Sequence, residues 1–131
     1  MYKKTSSTTD SDCLRSLCPV SCVLDILGDK WTILVVRDML LLGKRLYSEL
    51  VDSPEGIPTN ILADRLKRLE ASGVIDKIPY QQKPVRYEYR LTQKGEDLRP
   101  LIKELAVWGN KYIDGTIVPS EGFMDKAYTL E

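Results

Sequence analysis

Two groups of residues in this chain have the types and spacing to do chemistry. The first is Thr59, Asn60, Ala63, Lys67 and Arg68. At about 100° per residue Asn60 and Lys67 fall opposite Leu62, Leu66 and Leu69, Ala63 and Arg68 flank them, and Thr59 stands at the helix start. Early, outward residues of a helix lying in a major groove reach base edges. Asparagine pairs bidentately with adenine, threonine and alanine methyls suit thymine, and arginine or lysine reads guanine or grips phosphate. Lys83 and Arg86 follow at a spacing that lets a hairpin carry them to a minor groove or its phosphates. Asp64, on the same outer face, repels phosphate.

The second group is thiol chemistry. Cys18 stands immediately before Pro19, at the cap of an expected helix, where the partial positive charge of the helix N-terminus favours a thiolate. Arg15 is close enough in sequence to add to that field, and Cys22 lies one turn further on. Such a thiol is a candidate sensor of oxidants or electrophiles. Three cysteines and no histidine make a poor zinc site, because Asp10, Asp12 or a second chain would have to complete a tetrahedral set. Catalysis has little support: there is no imidazole base, no glycine-rich phosphate loop and no paired carboxylates. No enzyme activity, cofactor or metal is expected.

The elements that must hold these groups can be read from periodicity and punctuation. Residues 1–17 read as a flexible N-terminal segment. Pro19 suits the first turn of a helix carrying Val20, Val23, Leu24 and Leu27, with Gly28 at its end. Asp29 caps a second helix from about Lys30 to Leu42, with Trp31, Leu34, Val35 and Leu41 inward. Arg45–Tyr47 reads as a very short strand, with a brief helix running on to about Val51. The run Asp52-Ser-Pro-Glu-Gly56 is a turn, and the next helix runs from Pro58 to Gly73. Two short helices about a turn make a helix-turn-helix. Val74–Tyr80 and Arg86–Thr92 alternate as strands, with residues 81–84 as the loop of a wing. Thr92 caps a last long helix, which Pro100 must kink or delay. The expected fold is mainly α with a small β-hairpin wing (α+β), a winged helix-turn-helix spanning 18–112 with a tail over 113–131.

The first and last helices carry more apolar positions than one small domain needs. Val20, Val23, Leu24, Leu27, Leu98, Leu101, Leu105, Trp108 and Tyr112 are the candidate seam of a homodimer. A two-fold dimer would read an inverted repeat, with half-sites one helical turn or a multiple apart.

Composition is consistent with this plan. The 131 residues suffice for one domain with a real core. Net charge is zero, yet residues 57–93 carry seven Lys or Arg against four acids, a local +3. Residues 113–131 carry one Lys against four acids, a local −3. A local basic surface can bind phosphate while the remainder stays acidic. There is no run of about 18 apolar residues and no secretory leader pattern, so a cytoplasmic protein with no membrane partner is expected. The competing plan is a winged helix that binds a partner protein and no DNA.

Several runs together resemble the HxlR type of winged helix-turn-helix regulator, close in plan to the MarR type. They are Cys18-Pro-Val, Leu27-Gly-Asp-Lys-Trp-Thr-Ile-Leu-Val-Val-Arg-Asp38, Arg45-Leu-Tyr-Ser-Glu-Leu50, Ile57-Pro to Val74-Ile75, and Pro84-Val-Arg-Tyr-Glu-Tyr-Arg-Leu-Thr-Gln-Lys-Gly95, ending in Trp108-Gly. The resemblance covers about residues 18–112. It implies a homodimeric bacterial transcription regulator on double-stranded DNA with an inverted-repeat operator. The helix from Pro58 would be the recognition helix, the Tyr80–Arg86 hairpin the wing, and the terminal helices the dimer interface. Members of the type often sense oxidants or reactive carbonyls through the cysteine before Pro-Val, here Cys18. Cys13 and Cys22 are additional, and Asp76-Lys77 stands where an arginine is common.

Overall fold

A computed structural model describes residues 15–125. The expectations for residues 1–14, including Cys13 and the carboxylates Asp10 and Asp12, and for residues 126–131 lie outside the described residues.

Helix α1 spans Pro19–Leu27, with Cys18 as an extended cap and proline in the first turn, where a missing N–H costs nothing. Helix α2 spans Thr32–Leu42. It starts two residues later than its periodicity suggests, because Lys30 and Trp31 are drawn into the Asp29 cap. The Asp29 carboxylate accepts from the N–H groups of Trp31 (2.7 Å) and Thr32 (2.9 Å) and from the Thr32 hydroxyl (2.5 Å). Gly43 ends α2 with φ of 68°, a left-handed turn natural to glycine, and its N–H donates to the Asp38 carbonyl.

The expected strand at Arg45–Tyr47 is absent. Only one sheet-like bond joins this segment to the hairpin, Tyr89 N–H to the Arg45 carbonyl at 2.8 Å, and Tyr47 already opens helix α3, Tyr47–Val51. The Glu49 carboxylate turns back to accept from the N–H groups of Arg45 (3.0 Å) and Leu46 (2.9 Å), closing that helix start. Helix α4 spans Thr59–Ala71.

Strands β1, Ile75–Gln82, and β2, Val85–Leu91, pair antiparallel, with Ile75 opposite Leu91 and Gln82 opposite Val85. The expected four-residue loop contracts to Lys83-Pro84, joined by a cis peptide bond, and a bulge at Tyr80 absorbs the odd residue. The polar face of β2 is not simply solvated. Glu88 is buried, held by Arg90 at 2.5 Å and approached by Arg45 at 3.8 Å.

One long helix was expected from Thr92; there are two. Thr92 caps the single turn α5, Gln93–Glu96, by accepting from Gly95 N–H at 3.2 Å. Helix α6 then runs over Arg99–Tyr112 with Pro100 in its first turn, so the proline delays the start instead of kinking the middle. Gly95 has no room for a side chain: a Cβ there would lie 2.4 Å from the Val74 carbonyl oxygen.

The core is built by the middle of the chain. Val36, Leu40, Leu50, Leu62, Leu66, Leu69 and Ile75 are almost wholly buried, and Ile102 brings α6 onto them. Leu34, expected inside, is only half-buried, while Val36, Met39 and Leu40 face the core instead. Past α6 a 3-10 turn at Phe123–Asp125 folds back on the body. Phe123 and Met124 pack on the core, Arg99 donates to the Met124 carbonyl at 3.0 Å, and Lys103 meets Asp125 at 2.5 Å. No helix among the described residues is long and apolar enough to cross a membrane.

Candidate nucleic-acid interface

Helix α4 divides cleanly. Leu62, Leu66 and Leu69 are buried, whereas Thr59, Asn60, Asp64, Lys67 and Arg68 are exposed and Ala63 is half-buried. Burying three leucines at about 1.5–3 kcal/mol each fixes which way the helix faces. The outward set is therefore presented to solvent by the packing beneath it. Lys83 sits at the tip of the hairpin and Arg86 just after it on β2, both exposed. At the base of the same hairpin the Lys77 ammonium rests 4.6 Å above the Tyr87 ring.

Three sets of contacts hold α4 in place, and residue spacing alone gave no sign of their partners. The Tyr47 hydroxyl donates to the Thr59 carbonyl at 2.9 Å, pinning the start of α4 to α3. The Arg37 guanidinium bridges the buried Asp38 carboxylate (2.9 and 2.7 Å) and Glu55 (two bonds of 2.9 Å). Lys44 adds a contact to Asp38 at 3.3 Å and donates to the Asp52 carbonyl at 2.7 Å. A buried carboxylate thus meets two cations, which also grip the turn before α4; Arg37 is pushed up in pKa by Glu55, against the opposing effect of burial, and Glu55 is pulled down by Arg37. Third, Arg65 of α4 lies 3.3 Å from Asp29 and also pairs with Asp64. The Asp29 contact is an ion pair, not an aligned hydrogen bond. Burial pushes Asp29 upward, but the Thr32 hydroxyl, the Trp31 and Thr32 N–H groups and Arg65 outweigh it, holding the carboxyl at about 2.

The expected seam residues cluster across α1 and α6. Val20, Val23, Leu24, Leu101, Leu105, Trp108 and Tyr112 are all exposed, with Trp108 61% accessible and its ring 5.1 Å from that of Tyr112. Two of the set lie deeper: Leu27 is 7% accessible and belongs to the core, and Leu98 packs against it. Val20, Val23 and Leu24 with Leu101 and Leu105 line one open apolar groove.

Cys18 occupies the α1 cap and is half-buried, as is Cys22, whose thiol donates to the Ser16 carbonyl at 3.4 Å. Arg15, expected to add to the field at Cys18, is bonded to other groups. Its guanidinium is committed to Asp25 at 2.8 Å and to the Ser21 carbonyl at 3.4 Å.

Residues 26–116, well over half of the chain, match the family model described as HxlR-like helix-turn-helix. The chain belongs to the HxlR-like helix-turn-helix family. An uncharacterised helix-turn-helix transcriptional regulator of Synechocystis sp. is 36% identical over 98 residues, 75% of this chain and 72% of that protein. A regulator of Mycobacterium tuberculosis is 39% identical over 90 residues, which span 69% of this chain and just 56% of the mycobacterial protein. Among solved structures, the transcription factor PA1607 superposes with a TM-score of 0.72 at 37% identity, covering 82% of this chain and 76% of that one. The redox regulator HypR superposes in its reduced form with a TM-score of 0.64 at 33% identity, covering 74% and 95% of the two chains. Its oxidised form gives 0.63 at 34%, covering 74% and 99%. This HxlR-like chain is thus a winged helix-turn-helix in a family of transcriptional regulators.

Proposed function

We propose that this protein is a homodimeric transcriptional regulator that binds an inverted-repeat operator in double-stranded DNA, and that modification of Cys18 changes its affinity. The carrying observation is the outward face of α4, where Thr59, Asn60, Ala63, Lys67 and Arg68 stand over a fully buried leucine ridge. The first residues meet base edges, Lys67 and Arg68 meet phosphate or guanine, and Lys83 and Arg86 on the wing meet the neighbouring minor groove. Two copies joined through the apolar faces of α1 and α6 present two such helices, doubling the modest local positive charge. A DNA target implies a cytoplasmic protein.

The thiol reading rests on position. Cys18 caps α1, the same helix that supplies Val20, Val23 and Leu24 to the proposed seam. A bulkier or crosslinked sulfur at this cap shifts α1, repacks the seam and alters the spacing of the two α4 helices, a rigid-body switch at an interface. The solved neighbour HypR is a redox regulator with reduced and oxidised structures.

The test is a footprint of the purified protein on the DNA upstream of its own coding region, with and without diamide. Two protected patches one helical turn or a multiple apart, altered by diamide, are expected. Absence of protection in both samples contradicts the DNA reading; protection that diamide leaves unchanged contradicts the sensor alone.

A further inference from the structure

We propose that Asp64 reads a base, selecting cytosine at one position in each half-site. The inference rests on α4 being the helix that enters DNA. Asn60, Asp64 and Arg68 are four residues apart and form one ridge along α4, and Thr59, Ala63 and Lys67 form the adjacent one. Asp64 therefore sits in the middle of the outward face, about 6 Å along the axis from Asn60. Its side chain is 54% accessible.

Its carboxylate is held from behind. Arg65, 16% accessible, pairs with it, and Arg65 is itself anchored to Asp29 at 3.3 Å. Arg68 approaches the same oxygen at 3.8 Å. The acid is thus oriented by a cation fixed to the α1–α2 junction. Preorganisation of this kind lowers the cost of using a side chain for recognition.

An acid at the centre of a groove-facing surface cannot rest on phosphate. What it can accept is an exocyclic amino group. In the major groove guanine offers only acceptors, and thymine offers an acceptor and a methyl group. Adenine sets its N6 amino beside the N7 acceptor, which repels the second carboxylate oxygen. Cytosine offers its N4 amino without that neighbour, so it is the base an aspartate selects. The amide of asparagine fits the adenine pattern instead, which makes Asp64→Asn a change of preference rather than a simple loss.

The test selects bound sequences from random duplex DNA at one salt concentration, using the full chain and its Asp64→Asn and Asp64→Ala variants. The unsubstituted protein is expected to enrich cytosine at one symmetry-related position. Asp64→Asn should move that position to adenine, and Asp64→Ala should remove the preference there while leaving the rest of the motif. The discrimination lost by Asp64→Ala, measured with matched duplexes, is about tenfold per half-site. A motif common to all three proteins overturns the proposal and leaves DNA recognition by α4 standing. Failure of the unsubstituted protein to enrich any motif overturns both. A purely structural role would lower the melting temperature and leave the selected motif unchanged.

Discussion

Replacing Asp29 by asparagine keeps the shape of the α2 cap and removes its charge. In the folded protein this carboxyl is held at about 2, against 3.8 for an ordinary aspartate. Each unit corresponds to about 1.4 kcal/mol, so the ionised form contributes at most about 2.5 kcal/mol. Solvent still reaches 24% of the side chain, and screening trims the contribution to about 1–2 kcal/mol. Because the folded pKa is depressed, the stabilisation is present above the unfolded pKa. It is lost as pH falls through about 4 towards about 2. Urea unfolding at fixed protomer concentration should therefore show Asp29→Asn less stable by about 1–2 kcal/mol at pH 7. The gap should largely close as the pH approaches 2, where the folded carboxyl is about half protonated and the unfolded one almost wholly so. A gap that is missing at pH 7, or that stays constant down to pH 2, would refute the account of this cap and of its hold on Arg65.

Three other outcomes are expected. Leu101→Glu with Leu105→Glu places charges on the open α1–α6 face, so sedimentation equilibrium should find monomers with unchanged far-UV circular dichroism; a persistent dimer would place the seam elsewhere. Cys18→Ser should bind operator as the reduced protein does and lose any diamide response in a mobility-shift assay, and a response equal to that of the unsubstituted chain would remove Cys18 as sensor. Gly95→Ala forces a Cβ to within 2.4 Å of the Val74 carbonyl oxygen and 2.7 Å of Leu91, so chemical denaturation should show a loss of about 1–3 kcal/mol.

The helix order, the wing and the buried ridge of α4 were legible because they depend on short-range rules. Leu62, Leu66 and Leu69 recur at helical spacing, Pro19 and Gly43 mark ends, and β2 alternates. Long-range pairing escaped the sequence. Nothing local indicates that Arg37 will join Asp38 to Glu55, that Arg65 will reach back to Asp29, or that Arg45 will approach Glu88. The strand expected at Arg45–Tyr47 failed because Glu49 takes up the N–H groups of Arg45 and Leu46 that a ladder would need. The unbroken final helix failed because Thr92 caps a single turn and Pro100 restarts the chain in a new one. The fold back of Phe123–Asp125 had no periodic signal, since a three-residue turn is too short to carry one. On the outward face of α4, residue types were readable, but that Arg65, paired with Asp64, is also anchored to Asp29 emerged only in three dimensions.

The proposed function depends on α4 and the wing acting as a phosphate-binding, base-reading surface. The direct measurement is affinity for an operator-containing duplex across a salt series, for the unsubstituted protein and for Lys67→Ala with Arg68→Ala. Counterion release predicts that affinity falls linearly on a log–log plot, with a slope near −0.9 per phosphate contact. The double variant should bind more weakly and lose up to about two contacts' worth of slope. Affinity indifferent to salt, or a double variant that matches the unsubstituted protein in both affinity and slope, would contradict it.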